Sequence, residues 1–200
     1  MDTFDAIYAR HAVKQYDPEH VMPEPDLNNL LDAAIQSPTS FNMQNWRFVV
    51  VRDKALRTEL QAASMNQAQV SDASVLFILT ADLKAYADNP TQYWQHAPQE
   101  VSDRLSDWMV SFYNGKPELE RDEAMRSCGI AAQTLMLAAQ AMGYESCPMI
   151  GFDPVKVAEL INLPEGHVIG MMLPIGKGIQ PAFEKTHQLP LDKVVVHDRF

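Results

Sequence analysis

The run SPTSFNMQNWRFVVV, residues 37–51, divides into two halves of opposite character. From Trp46 onward it carries the unbroken apolar series Phe48, Val49, Val50 and Val51, the pattern of a strand buried at the centre of a sheet. Its first half reads as a loop. Pro38 removes a backbone donor and disfavours helix at Ser37. Thr39, Ser40, Asn42 and Gln44 are short polar side chains that donate and accept hydrogen bonds. Such a loop suits a planar, polar-edged ligand, and it equally suits a plain connection between helix and strand.

On the amino-terminal side, Leu27, Leu30, Leu31, Ala34 and Ile35 recur at helical spacing and predict an amphipathic helix over 25–36. Residues 3–13 predict a shorter helix with Phe4, Ile7 and Tyr8 on one side, ending in Arg10, His11 and Lys14. Those cations either complement a helix carboxyl end or converge on one anion, which Arg10 can grip as a fork. On the carboxyl-terminal side Asp53 is a cap for a helix over 54–63. The polar segment SMNQAQVSDAS (64–74) then leads into a second apolar strand at 75–80. Asn66 and Gln69 are either ligand contacts delivered at a strand edge or parts of a connection.

Residues 82–117 mix aromatics, acids and turn formers and predict interrupted helix, with Tyr93, Trp94, Trp108, Phe112 and Tyr113 packing it onto a neighbour. The longest helix spans 118–142 and closes at Gly143. Its second half, small or apolar nearly all round, predicts burial on most faces or packing against a second copy. SCPMIGFDP (146–154) ends a short strand and opens a helix capped by Asp153 with Pro154 first. A further strand follows at 167–174, and the tail carries a second small basic pair, Lys185 and His187.

With 200 residues, 46% hydrophobic and 21% charged, the chain has the make-up of one globular domain, residues 1–200. A net charge of −10 argues against nucleic acid or an anionic membrane as partner, so a bound phosphate needs a local cationic pocket. The first residues, with two aspartates, do not read as a secretory signal, and no stretch is long enough to span a bilayer. Cys128 and Cys147 read as buried reduced thiols, which with the foregoing gives a cytoplasmic location. The six histidines have no metal-ligand spacing, so no metal is expected. Gly176 and Gly178 lack the further glycine of a dinucleotide fingerprint.

The series RHAVKQYD (10–17), SPTSFNMQNWRFVVV (37–51), MNQAQVSDAS (65–74), CPMIGFDP (147–154), LPIGKG (173–178) and KTHQLPLDKVV (185–195) resembles the FMN-dependent nitroreductase family over nearly the full length. The resemblance implies an α+β fold with a central, mostly antiparallel sheet flanked by helices, built as an intertwined homodimer. FMN would lie at the subunit interface. NADH or NADPH would supply hydride, and a small-molecule electron acceptor such as a nitroaromatic or quinone would follow it by a ping-pong mechanism. No protein nucleophile is implied.

Carried over by position, Arg10, His11, Lys185 and His187 would surround the FMN phosphate, and Lys14, Asn66 and Gln69 would meet the polar edge of the ring. Pro148, Met149, Ile150 and Gly151 would run beside it, with a backbone amide at Ile150 or Gly151 facing the ring. Pro38, Thr39, Ser40 and Asn42 would reach in from the other subunit. This chain has Ala12 where serine is usual, Asn45 for proline, Gln69 for lysine, Ile150 for glutamate and His187 for arginine. Ala12, Gln69 and Ile150 keep open a flavin-binding or sensory protein with little turnover, and because acceptor choice depends on residues 82–117 and on loop shape, a flavoenzyme dedicated to an enone or halogenated phenol stays open too.

Overall fold

A computed structural model of the 200-residue chain describes every residue except Thr186. Four strands form one sheet: β1 (Trp46–Val51), β2 (Val75–Asp82), β3 (Glu145–Ser146) and β4 (His167–Gly176). Their order is β1-β2-β4-β3, and every pairing is antiparallel. The helices are α1 (Thr3–Ala9), α2 (Glu24–Ala34), α3 (Lys54–Ala62), α4 (Gln69–Asp72), α5 (Gln99–Tyr113), α6 (Pro117–Ala141), α7 (Pro154–Leu160) and α8 (Leu191–Val194). Among the described residues no helix is long and apolar enough to cross a membrane.

Strand β2 has apolar residues on both faces, and both faces are covered. Val75, Phe77, Leu79 and Ala81 join a core with Leu27, Leu30 and Ala34 of α2 and with Ala124, Cys128, Ala131, Leu135 and Ala139 of α6. The intervening Leu76 and Ile78 face Leu60 of α3 and Val157 of α7. The alternation is the two-residue period of a strand. Three caps begin helices where side-chain oxygens meet free amides: Asp2, Asp53 and Asp153. Gly143 ends α6 with φ +75°, a left-handed turn that glycine adopts without a Cβ penalty.

Several sequence expectations change. β1 lies at the sheet edge, its Phe48, Val49 and Val50 only partly buried, because β2 takes the central place between β1 and β4. α1 stops at Ala9, with Arg10 already extended, because the next residues pair with another segment: Ala12 bridges Ser146 and Val13 is buried. Phe4, Ile7 and Tyr8 are exposed, and Ala6 is the buried residue of that helix. α6 is buried on one face within the chain, leaving Ile130 and Gln133 outside. The aromatics of α5 do pack onto a neighbour: Phe41 sits edge-on to Trp108 and Tyr113, and Tyr86 stacks near Tyr113.

The pairing of β2 with β4 slips by one residue between Leu79 and Thr80, so Leu79 opposes Met171 and Thr80 opposes Ile169. Gly170 is the extra residue, a bulge pressed onto α6. A Cβ there would stand 2.5 Å from the Cβ and 2.8 Å from the Sγ of Cys128. Gly170→Ala is therefore expected to cost about 1–3 kcal/mol through forced separation of sheet and helix. Urea denaturation measures it; wild-type stability in that variant would mean that α6 can shift freely.

Candidate functional site

One end of the sheet gathers most of the predicted residues. Val75 and Ser146 both oppose Ile175 there. The amino-terminal segment joins the same end through a parallel bridge of Ala12 to Ser146, a hydrogen bond donated by the Val13 N–H to the Ser146 carbonyl at 3.1 Å, and a bridge of Tyr16 to Gly178. The basic residues of the two chain ends thereby meet. Arg10, His11, Ala12, Lys14, Lys185 and His187 line one open recess of about 340 Å³, with Phe183, Glu184 and Gln188 completing it.

Two contacts hold the cations in place. Lys185 Nζ donates to the Tyr8 carbonyl at 2.9 Å, at the carboxyl end of α1 where free carbonyls attract a cation. His11 Nδ1 lies 2.6 Å from the Ala9 carbonyl, and since a carbonyl only accepts, that ring nitrogen carries the proton. The net charge of −10 makes this concentration of cations distinctive.

Residues 148–151 continue the chain from β3, whose Ser146 pairs with Ala12 of the recess. Met149 pairs with Met172 and is buried, whereas Pro148 and Ile150 are exposed. The amides of Ile150 and Gly151 donate to no described residue, leaving two backbone donors free. Gln67 Nε2 ties this strip to the polar segment by donating to the Gly151 carbonyl at 3.0 Å, while Gln69 Nε2 donates to Gln67 Oε1 at 3.0 Å. Gln69 is buried; Asn66, with φ +55°, is exposed. Gln67 was not singled out from sequence, although its position between Asn66 and Gln69 was the available signal. Phe183, also unanticipated, had none, since tail aromatics have no periodicity to read.

The loop 37–44 stands apart. Trp46 opposes Ala81, at the far end of β2 from Val75, six strand residues or roughly 20 Å away. There the loop is fastened to α6 and α5: Ser37 Oγ donates to Thr134 Oγ1 at 3.0 Å, the Ser40 amide to Glu123 Oε1 at 3.2 Å, and Tyr113 OH to Ser40 Oγ at 2.7 Å. Thr39 Oγ1 accepts from the Gln44 amide at 2.9 Å. Pro38, Thr39, Ser40 and Asn42 therefore share neither recess nor hydrogen bond with the cationic group of their own chain.

The model described as Nitroreductase family matches residues 7–177. The chain belongs to the nitroreductase family. It is 51% identical to protein DrgA of Synechocystis sp., over 98% of this chain and 95% of that one. It is 32% identical to YodC of Bacillus subtilis, provisionally named an NAD(P)H nitroreductase, over 96% and 97% of the two chains. A protein of Exiguobacterium sibiricum assigned as a nitroreductase and crystallised in complex with FMN superposes with a TM-score of 0.90 at 26% identity, over 98% and 97% of the chains. The α+β fold with its antiparallel sheet is thus that of the family, and the expected FMN and NAD(P)H agree with these names.

Cys147, next to β3, feels opposing effects. Burial pushes its thiol up, and nearby Lys14 and Arg10 pull it part of the way down. Burial pushes Cys128, on α6, up to about 12. Raised values keep both thiols protonated at neutral pH, and the thiolate is the nucleophile. An aromatic disulfide reagent at pH 7.5 should therefore titrate neither cysteine in native protein and both after denaturation; a native thiol reacting at the rate of a free cysteine would contradict this.

Proposed function

We propose that this nitroreductase is an FMN-dependent oxidoreductase that takes hydride from NADH or NADPH and reduces nitroaromatics, quinones or similar electron-poor molecules by turns at one site. The observation carrying the reading is the union of Arg10, His11, Lys185 and His187 on one recess, with the free amides of Ile150 and Gly151 on the strip that follows Ser146, the residue paired with Ala12 of that recess. The residues fit the cofactor. A phosphate dianion needs clustered cations and charge-assisted donors. A planar ring with a polar edge needs backbone and amide partners of the kind that residues 150–151, Asn66 and Gln69 present.

In this reading the basic recess holds the phosphate, and exposed Lys14 sets positive charge near the polar edge of the ring, favouring negative charge there. Bound FMN supplies two-electron transfer between nicotinamide and acceptor. The protein binds and orients both reactants over the ring, and proximity is its main contribution. Nothing in the recess acts as a nucleophile.

A homodimer completes the site. Pro38, Thr39, Ser40 and Asn42 lie too far from the recess of their own chain, so they serve the copy's. Phe4, Ile7 and Tyr8 of α1 and Ile130 of α6 are exposed apolar residues suited to the contact between copies.

Purified protein should show a flavin spectrum that bleaches anaerobically with NADH or NADPH. Arg10→Ala and Lys185→Ala should each weaken FMN binding by about tenfold or more. A chain that takes up no FMN, or variants that bind it as well as wild type, would defeat the assignment. Sedimentation should give a dimer at micromolar concentration, and a monomer that still holds FMN would contradict the shared site.

A further inference from the structure

A second cleft, of about 410 Å³, opens between residues 18–22, the start of α3 and residues 71–74, and shares no lining residue with the cationic recess. Arg52, Lys54, Arg57 and His20 line it, and Glu19 is the acid among its lining residues. Arg57 is only 5% exposed. Its Nε donates to the Val70 carbonyl at 2.9 Å and its Nη2 to the Ala73 carbonyl.

Those two bonds explain part of the guanidinium as a clamp on α4. They do not explain Nη1, which donates to no described residue, nor the absence of an ion pair with any described carboxylate. Burial pulls the Arg57 pKa down, and nearby Asp72 pulls it back up in part. A buried cation without a bonded counter-charge is costly unless something anionic meets it.

The surroundings favour an anion. Lys54 Nζ has no hydrogen bond or ion pair among the described residues. Arg52 is held by Glu24 at 2.7 Å, the two side chains 44% and 62% exposed. Thr58 and Ser71 spend their hydroxyl protons on the Lys54 carbonyl and on Ala68 or Asp72. Ser74 Oγ lies 2.9 Å from His20 Nδ1 and can turn its own proton outward if that nitrogen donates. The volume is that of a small-molecule site.

We propose that this cleft binds the phosphate group of a small soluble phosphate ester, with Arg57 Nη1 at its floor and Lys54 and Arg52 at its rim. The site is separate from the flavin recess and takes a different molecule.

Isothermal titration of protein kept in excess FMN, with ionic strength fixed by chloride, tests this using ribose 5-phosphate and inorganic phosphate. Saturable binding of one ribose 5-phosphate per chain is expected, tighter than inorganic phosphate. Lys54→Gln should weaken it about tenfold, Lys54→Arg should retain it, and Arg10→Ala should leave it unchanged. No saturable binding, or equal binding by Lys54→Gln, overturns the proposal. Loss in Arg10→Ala alone would place the phosphate in the flavin recess and overturn it too, and a preference for inorganic phosphate would exclude an ester as the ligand.

Discussion

Burial of β2 on both faces is the constraint from which the rest follows. A strand with Val75, Phe77 and Leu79 on one side and Leu76 and Ile78 on the other has no solvent face, so it requires layers above and below. α2 and α6 form one layer, α3 and α7 the other. Because its neighbours run antiparallel, the start of β2 lies beside the end of β4, and β3 joins them there. Segments remote in sequence are thereby delivered to one edge: the polar run before Val75, the strip after Ser146, and the tail after Gly176. The pairing of Ala12 with Ser146 adds the amino terminus. The recess is a consequence of strand order.

Charge distribution works within that frame. The chain is strongly acidic, yet small groups of cations gather in two places, the recess of the chain ends and the cleft around Arg57. Surface lysines scattered among acids would contribute little. Gathered beside a recess, several cations reinforce one another and meet a dianion with charge-assisted bonds. Arg57 also holds the carbonyls of Val70 and Ala73, on either side of the end of α4, whose first residue is Gln69.

Much of this was legible in the sequence, and the failures have physical causes. Apolar run, helical spacing and capping aspartates placed β1, β2, α2, α3 and α6 within a residue or two, and the start of α7 at Pro154, since each rests on local rules. The ordered motifs likewise pointed to the family and to Arg10, His11, Lys185 and His187. The edge position of β1 was hidden, because Phe48 to Val51 reads the same at an edge as at a centre; only strand order distinguishes them. α1 looked longer than it is, because the pairing that draws Ala12 and Val13 out of helix lies with Ser146, far along the chain. The cleft of Arg57 was invisible for the same reason: its lining comes from three segments, and Arg57 sits among the polar positions of an ordinary amphipathic helix.

The loop that opens at Ser37 shows how a single chain can hold an unfavourable backbone in place. Phe41, Asn42 and Gln44 all have positive φ, at 54°, 53° and 42°, a costly conformation for residues with side chains. Such a backbone persists only where its surroundings over-determine it. Here they do so from within the chain, through Glu123 and Thr134 of α6, Tyr113 of α5 and the ring contacts of Phe41. The loop is therefore shaped by its own chain, and ordering it would add little to the cost of any contact it made. Its polar side chains are thereby held in place roughly 20 Å along the sheet from the recess of their own chain.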